Sequence, residues 1–70
     1  MSLAPYLESH LLVTARLMIR QGLAVSKILE DNSMVLVRRD SGEYKNRMKG
    51  NVTFLHEYET DGQAFVVFDR

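Results

Sequence analysis

The chain changes hydrophobic period once, at Gly22, and that single switch limits what it can fold into. From Ala4 to Gln21 apolar residues recur at three- and four-residue spacing, as in an amphipathic helix. From Leu23 onward they fall into short runs bounded by turn residues, which is the pattern of strands. One helix followed by strands predicts an α+β fold, and 70 residues leave room for a single domain, 1–70.

The helix, about 4–21, is bracketed by its own signals. Ser2 is a candidate N-cap, Pro5 suits the first turn, and Glu8 and Arg20 suit the positive and negative ends. Gly22 follows as the terminator. Leu7, Leu11, Ala15 and Met18 form one stripe, widened by Ala4, Leu12 and Ile19. Tyr6, Val13 and Leu17 carry apolar surface around the other side, leaving Ser9, Arg16 and Arg20 as the polar strip. A helix lying on one sheet needs a narrower apolar face than this, so a neighbour on the second flank is expected.

Five short strands are predicted: Leu23–Glu30, Met34–Arg39, Glu43–Met48, Val52–Glu59 and Gln63–Asp69. The links between them, Asp31-Asn32-Ser33, Asp40-Ser41-Gly42, Lys49-Gly50-Asn51 and Asp61-Gly62, hold turn-forming residues. Short links imply antiparallel neighbours, hence a meander of four or five strands with the helix packed on it. A three-residue loop at 40–42 would set Arg39 opposite Glu43 and Arg38 opposite Tyr44. A two-residue loop would oppose Arg38 to Lys45 and Asp40 to Glu43, two like-charge clashes. Continuing the meander sets Met48 opposite Val52, Tyr44 opposite His56, Tyr58 opposite Phe65 and His56 opposite Val67. The first strand breaks strict alternation at Leu23, Val25, Ile28 and Leu29, which suggests a bulge.

These registers sort the side chains onto two faces. Met34, Leu36, Tyr44, Met48, Val52, Phe54, Tyr58, Phe65 and Val67 collect on the face expected beneath the helix. Val35, Val37, Leu55, Val66 and Phe68 collect on the other, among Lys45, Arg47, Glu57 and Glu59. "MVLV" and "AFVVF" are thus apolar on both faces, whereas a sheet with one wet face alternates cleanly. One helix covers one face. The second face then belongs either to a small closed barrel or to another chain, and another chain is the expectation.

Chemistry is sparse. Without Cys there is neither disulfide nor thiolate metal site, and a reducing, cytoplasmic setting fits. Glu8, His10, Arg16 and Arg20 interrupt the apolar run near the start, so neither a signal peptide nor a membrane span is expected. No phosphate-binding glycine loop or nucleophile elbow occurs. In "HEYE", His56 and Tyr58 share a strand face while Glu57 and Glu59 point the other way, so no His–carboxylate dyad forms. A His10–His56 metal pair lacks a third ligand. No catalytic residue, metal or cofactor is therefore predicted, and an enzyme is not expected.

Two functions compete. One is a small interaction module, a homodimer or an accessory or inhibitory subunit. It would bind protein through Val35, Val37, Leu55, Val66 and Phe68, rimmed by Lys45, Arg47, Glu57 and Glu59. The helix flank of Tyr6, Val13 and Leu17 is a second contact candidate. The other is nucleic-acid binding by the basic hairpin 38–49, through Arg38, Arg39, Tyr44, Lys45, Arg47 and Lys49. Against it, formal net charge is zero, and Glu43, Glu57 and Glu59 lie among the cations.

A helix followed by five antiparallel strands also resembles the element order of Sm-like RNA-binding barrels, so a small SH3/Sm-like barrel with an N-terminal helix is the alternative fold. That resemblance implies an RNA-binding barrel. "RRDSGEYKNR" does not supply the glycine and Asp/Asn positions those proteins carry around the third strand.

Overall fold

The computed structural model describes residues 5–29, 31 and 33–69. The predicted cap Ser2, the stripe residue Ala4, the side chain of Tyr6, the strand end Glu30 and the turn residue Asn32 lie outside the described residues. The chain runs α1 (Pro5–Gln21), β1 (Val25–Lys27), β2 (Met34–Arg38), α2 (Gly42–Met48), β3 (Phe54–Thr60) and β4 (Gln63–Asp69). The fold is α+β, with the N-terminal helix packed on an antiparallel four-stranded sheet.

Helix α1 ends at Gly22 as its sequence predicts. The Leu23 amide donates to the Met18 carbonyl and the Gly22 amide to that of Ile19, the paired bonds of a Schellman cap. Gly22 has φ +69°, a conformation that a side chain disfavours. The stripe Leu7, Leu11, Ala15 and Met18 is buried against Ile28, Leu36, Phe65 and Val67.

The sheet order is β1-β2-β4-β3, so the strands do not form a meander. Both β2 and β3 run antiparallel to β4, which lies between them. They are therefore parallel to each other and are joined by a helical crossover, as parallel strands require. The sheet is open, with β1 and β3 at its edges, and is not a closed barrel.

The predicted strand Glu43–Met48 is the helix α2. Ser41 caps it: its Oγ accepts from the Tyr44 amide at 3.2 Å and donates to the Arg38 carbonyl. Glu43 sits in the first turn, and Lys45 and Arg47 in the last, each favourable to the helix dipole. A Ser cap contributes about 1 kcal/mol. In the same direction, Glu, Lys and Asn have low strand propensity, on a scale spanning only about 1 kcal/mol. Seven residues do not make a helix stable alone. Packing decides the matter: Tyr44 meets the second sheet face, its ring 6.1 Å from that of Phe68.

Consequently the hairpin pairings Arg39–Glu43, Arg38–Tyr44, Met48–Val52 and Tyr44–His56 do not occur. Those at Asp61-Gly62 do, with Tyr58 opposite Phe65 and His56 opposite Val67. Asp61 at φ +52° and Gly62 at φ +75° give the two left-handed residues of a type I′ turn. A bulge between Phe54 and His56 reverses the parity of the start of β3. Phe54 thus pairs with Phe68 on the α2 side, while Leu55 packs toward α1. The first strand keeps only three residues. Its irregular half continues into Ile28, which drops into the core beneath α1.

Candidate functional site

The apolar patch predicted for a partner is inside the molecule. Val35, Val37, Val66 and Phe68 are buried, with Val25, Tyr44 and Val52 packed against them. The expectation of a bare second face failed because it assigned the covering element, 42–48, to the sheet itself. Leu55 belongs to the opposite face. Of the predicted rim, Lys45 and Glu59 are exposed, Glu57 pairs with Arg39 at 3.4 Å, and Arg47 lies half-buried over Phe68.

Predicted nucleic-acid contacts are dispersed too. Arg38 donates through Nη2 to the Met18 carbonyl at 3.2 Å, pinning the C-terminal end of α1 where its dipole favours a cation. Arg39 faces Glu57, Tyr44 tilts against Phe68, and the Arg47 guanidinium lies 5.8 Å from the centre of the Phe68 ring. Of these residues only Lys45, on α2, and Lys49, at its C-cap, both exposed, are left without such engagement among the described residues. His10 is exposed on α1, while His56 is half-buried and stacked 5.7 Å from the Tyr58 ring.

Two surfaces remain open. The first is the outer flank of α1, where Val13 is 58% and Leu17 44% exposed, one turn apart, with Leu23 exposed just beyond the helix. The helix is held rigidly beneath them. Tyr58 Oη donates to the Leu11 carbonyl at 2.8 Å, Arg38 holds Met18, and Arg16 approaches Asp61 of the β3–β4 turn at 3.5 Å.

The second is an open groove of about 530 Å³ lined by Val25, Ser26, Lys27, Val35 and Arg47. It runs between β1 and α2, and its lining residues carry two cations and no carboxylate. Register explains the composition. Val25 opposes Val37 and Lys27 opposes Val35, so both side chains project on the α2 face. Sequence reasoning missed this groove because it requires 42–48 to be helical, which alone brings Arg47 beside β1. A smaller depression of about 290 Å³ at the hairpin end sets Arg39 beside Asp40 and Glu59, so its lining is net negative.

No described helix is long and apolar enough to cross a membrane. Compared with known proteins, the chain matches no family model, no curated protein and no solved structure.

Proposed function

We propose that this chain is a small non-enzymatic protein-interaction module that self-associates through the outer flank of α1. The supporting observation is the exposure of Val13 and Leu17 on a helix whose opposite stripe is already buried in the core. Large apolar side chains stacked at i and i+4 form the contact row that helix pairing uses. A second copy presenting the same row gives an isologous, closed pair. The sheet face first expected to do this work is occupied by α2, so the contact moves from sheet to helix. A partner subunit meeting the same flank would make the chain an accessory or inhibitory subunit instead.

Mass in solution across a dilution series tests the proposal. A dimer that dissociates on dilution, and that Leu17→Glu converts to a folded monomer, is the supporting result. A monomer at every concentration overturns self-association. A dimer indifferent to Leu17→Glu overturns the assignment to α1.

A further inference from the structure

We infer that the groove between β1 and α2 binds an extended acidic peptide segment, which adds as a strand to the outer edge of β1. This rests on the interaction-module reading but uses a different surface, on the far side of the sheet from α1.

Three observations converge on that groove. First, β1 is an edge strand, paired only with β2. The Arg38 amide donates to the Ala24 carbonyl and the Ile28 amide to that of Met34. Alternation along an antiparallel ladder then turns the amide and carbonyl groups of Ser26 toward β2, and those of Val25 and Lys27 outward. Two donors and two acceptors thus face outward in the arrangement an incoming strand pairs with, the Lys27 carbonyl meeting only the Ser26 hydroxyl at a long 3.5 Å.

Second, the described lining of the groove carries two cations and no carboxylate. Neither Lys27 nor Arg47 makes an ion pair with a described residue. The two cations reach the groove from different elements, an edge strand and a helix, and Val25 and Val35 lie between them. A carboxylate placed there has charge-assisted partners on two sides and a low-polarity floor, where such bonds are strongest.

Third, Arg47 is pre-positioned and unsatisfied. Its guanidinium lies over the Phe68 ring, while its Nε is shielded from solvent and has no hydrogen-bond partner among the described residues. Buried donors in folded proteins are normally paired, and Arg47, which lines the groove, is one of two described side chains that keep an unpaired one, the other being Arg38.

A peptide strand satisfies all three features together: its main chain meets the β1 edge, and every second side chain enters the groove. A small carboxylate or a phosphate uses only the cations. A nucleic-acid strand leaves the β1 edge unpaired, and the exposed aromatic Phe54 belongs to the opposite edge strand, β3.

The test is a fluorescence-polarisation titration of the whole chain with dye-labelled pentapeptides alternating glutamate and valine. A lysine–valine series, an alternately N-methylated glutamate–valine peptide, hexanoate, inorganic phosphate and a thymidine oligonucleotide serve as comparisons. The glutamate–valine peptide is expected to bind, the lysine–valine peptide to fail, and N-methylation to abolish binding. Arg47→Gln is expected to weaken binding about tenfold, the size of one lost charge-assisted bond. Lys27→Gln, at an exposed edge position, is expected to weaken it severalfold, and it keeps the test sound if Arg47→Gln disturbs packing on Phe68. Equal binding of the N-methylated peptide, or full displacement by hexanoate or phosphate, overturns strand addition and leaves an anion pocket. Preferential oligonucleotide binding lost with Arg47→Gln overturns the peptide assignment. No binding of any peptide at low salt overturns the inference outright. Leu17→Glu is expected to leave peptide binding unchanged, so failure here and failure of self-association register separately.

Discussion

The Tyr58 hydroxyl donates to the Leu11 carbonyl at 2.8 Å, joining an edge strand to the middle of the N-terminal helix across the sheet face. The ring that carries it stacks on Phe65 at 5.8 Å and on His56 at 5.7 Å. One residue thereby fixes where α1 lies along β3, and with it where Val13 and Leu17 are presented.

Burial pushes the Tyr58 phenol up to about 12 from an ordinary value of 10.0, because the charged phenolate loses hydration there. The folded state favours the protonated form more than the unfolded state does. That stabilisation is complete below pH 10 and is lost as pH rises from 10 toward 12. Tyr58→Phe is expected to cost about 1 kcal/mol at neutral pH, the worth of one hydrogen bond, and to flatten the alkaline loss. Urea unfolding at neutral and alkaline pH checks both; an unchanged alkaline slope would count against the assignment.

Phe68 and Leu17 should separate folding from association. Phe68 is fully buried between the second sheet face and α2, so Phe68→Ala is expected to cost about 3–5 kcal/mol. A core this small supplies about that much, so the variant should be largely unfolded by circular dichroism. Leu17→Glu is expected to stay within about 0.5 kcal/mol of the parent chain in denaturant midpoint, measured at a dilution where the parent is monomeric. A folded Phe68→Ala chain would show that α2 does not seal that face.

Ser41 sets the start of α2, and its role is testable alone. Ser41→Ala removes the acceptor for the Tyr44 amide and is expected to cost about 1 kcal/mol, while Ser41→Asp keeps the cap and most of the stability. Partial release of α2 would uncover Val35, Val37, Val66 and Phe68. Binding of a hydrophobic dye should therefore rise in the alanine variant and not in the aspartate one.

The basic segment 38–49 should bind oligonucleotides feebly. Arg38 and Arg39 are engaged within the chain and Arg47 lines the separate groove beside β1, which leaves Lys45 and Lys49 as the fully exposed cations of this segment among the described residues. Two phosphate contacts give only a shallow salt dependence, with a slope of roughly −2 on the logarithmic scale for duplex DNA. Tight binding with a steep slope, abolished by Lys45→Glu plus Lys49→Glu, would reverse the ranking of functions.

The legible parts of this fold were those whose cause is local. Gly22 ends the helix because its neighbours need a left-handed residue there, and Asp61-Gly62 fixes the β3–β4 register because two residues suffice to define that turn. Residues 42–48 were illegible to alternation because Tyr44, Asn46 and Met48 fit a strand period as readily as Tyr44, Arg47 and Met48 fit a helical one. The absence of β-branched residues between Gly42 and Gly50 was the available signal, together with a serine directly ahead of them. The bulge before His56 had no such signal, since its cause is the pairing of β3 with β4. The groove beside β1 depends on the tertiary outcome, because α2 brings Arg47 to it, whereas the flank of Val13 and Leu17 follows from the period of α1.

Strand β4 is the last strand of the described chain, yet it occupies a central place in the sheet, bonded to β2 on one side and β3 on the other. It fills the space of about 10 Å, two strand spacings, between β2 and β3, which have no other shared neighbour among the described strands. A shortened chain lacking β4 would thus retain a small hairpin and a lone strand, with no intermediate sheet to rest in. The joining of β2 and β3 into one sheet therefore turns on β4, which alone among the described strands pairs with both.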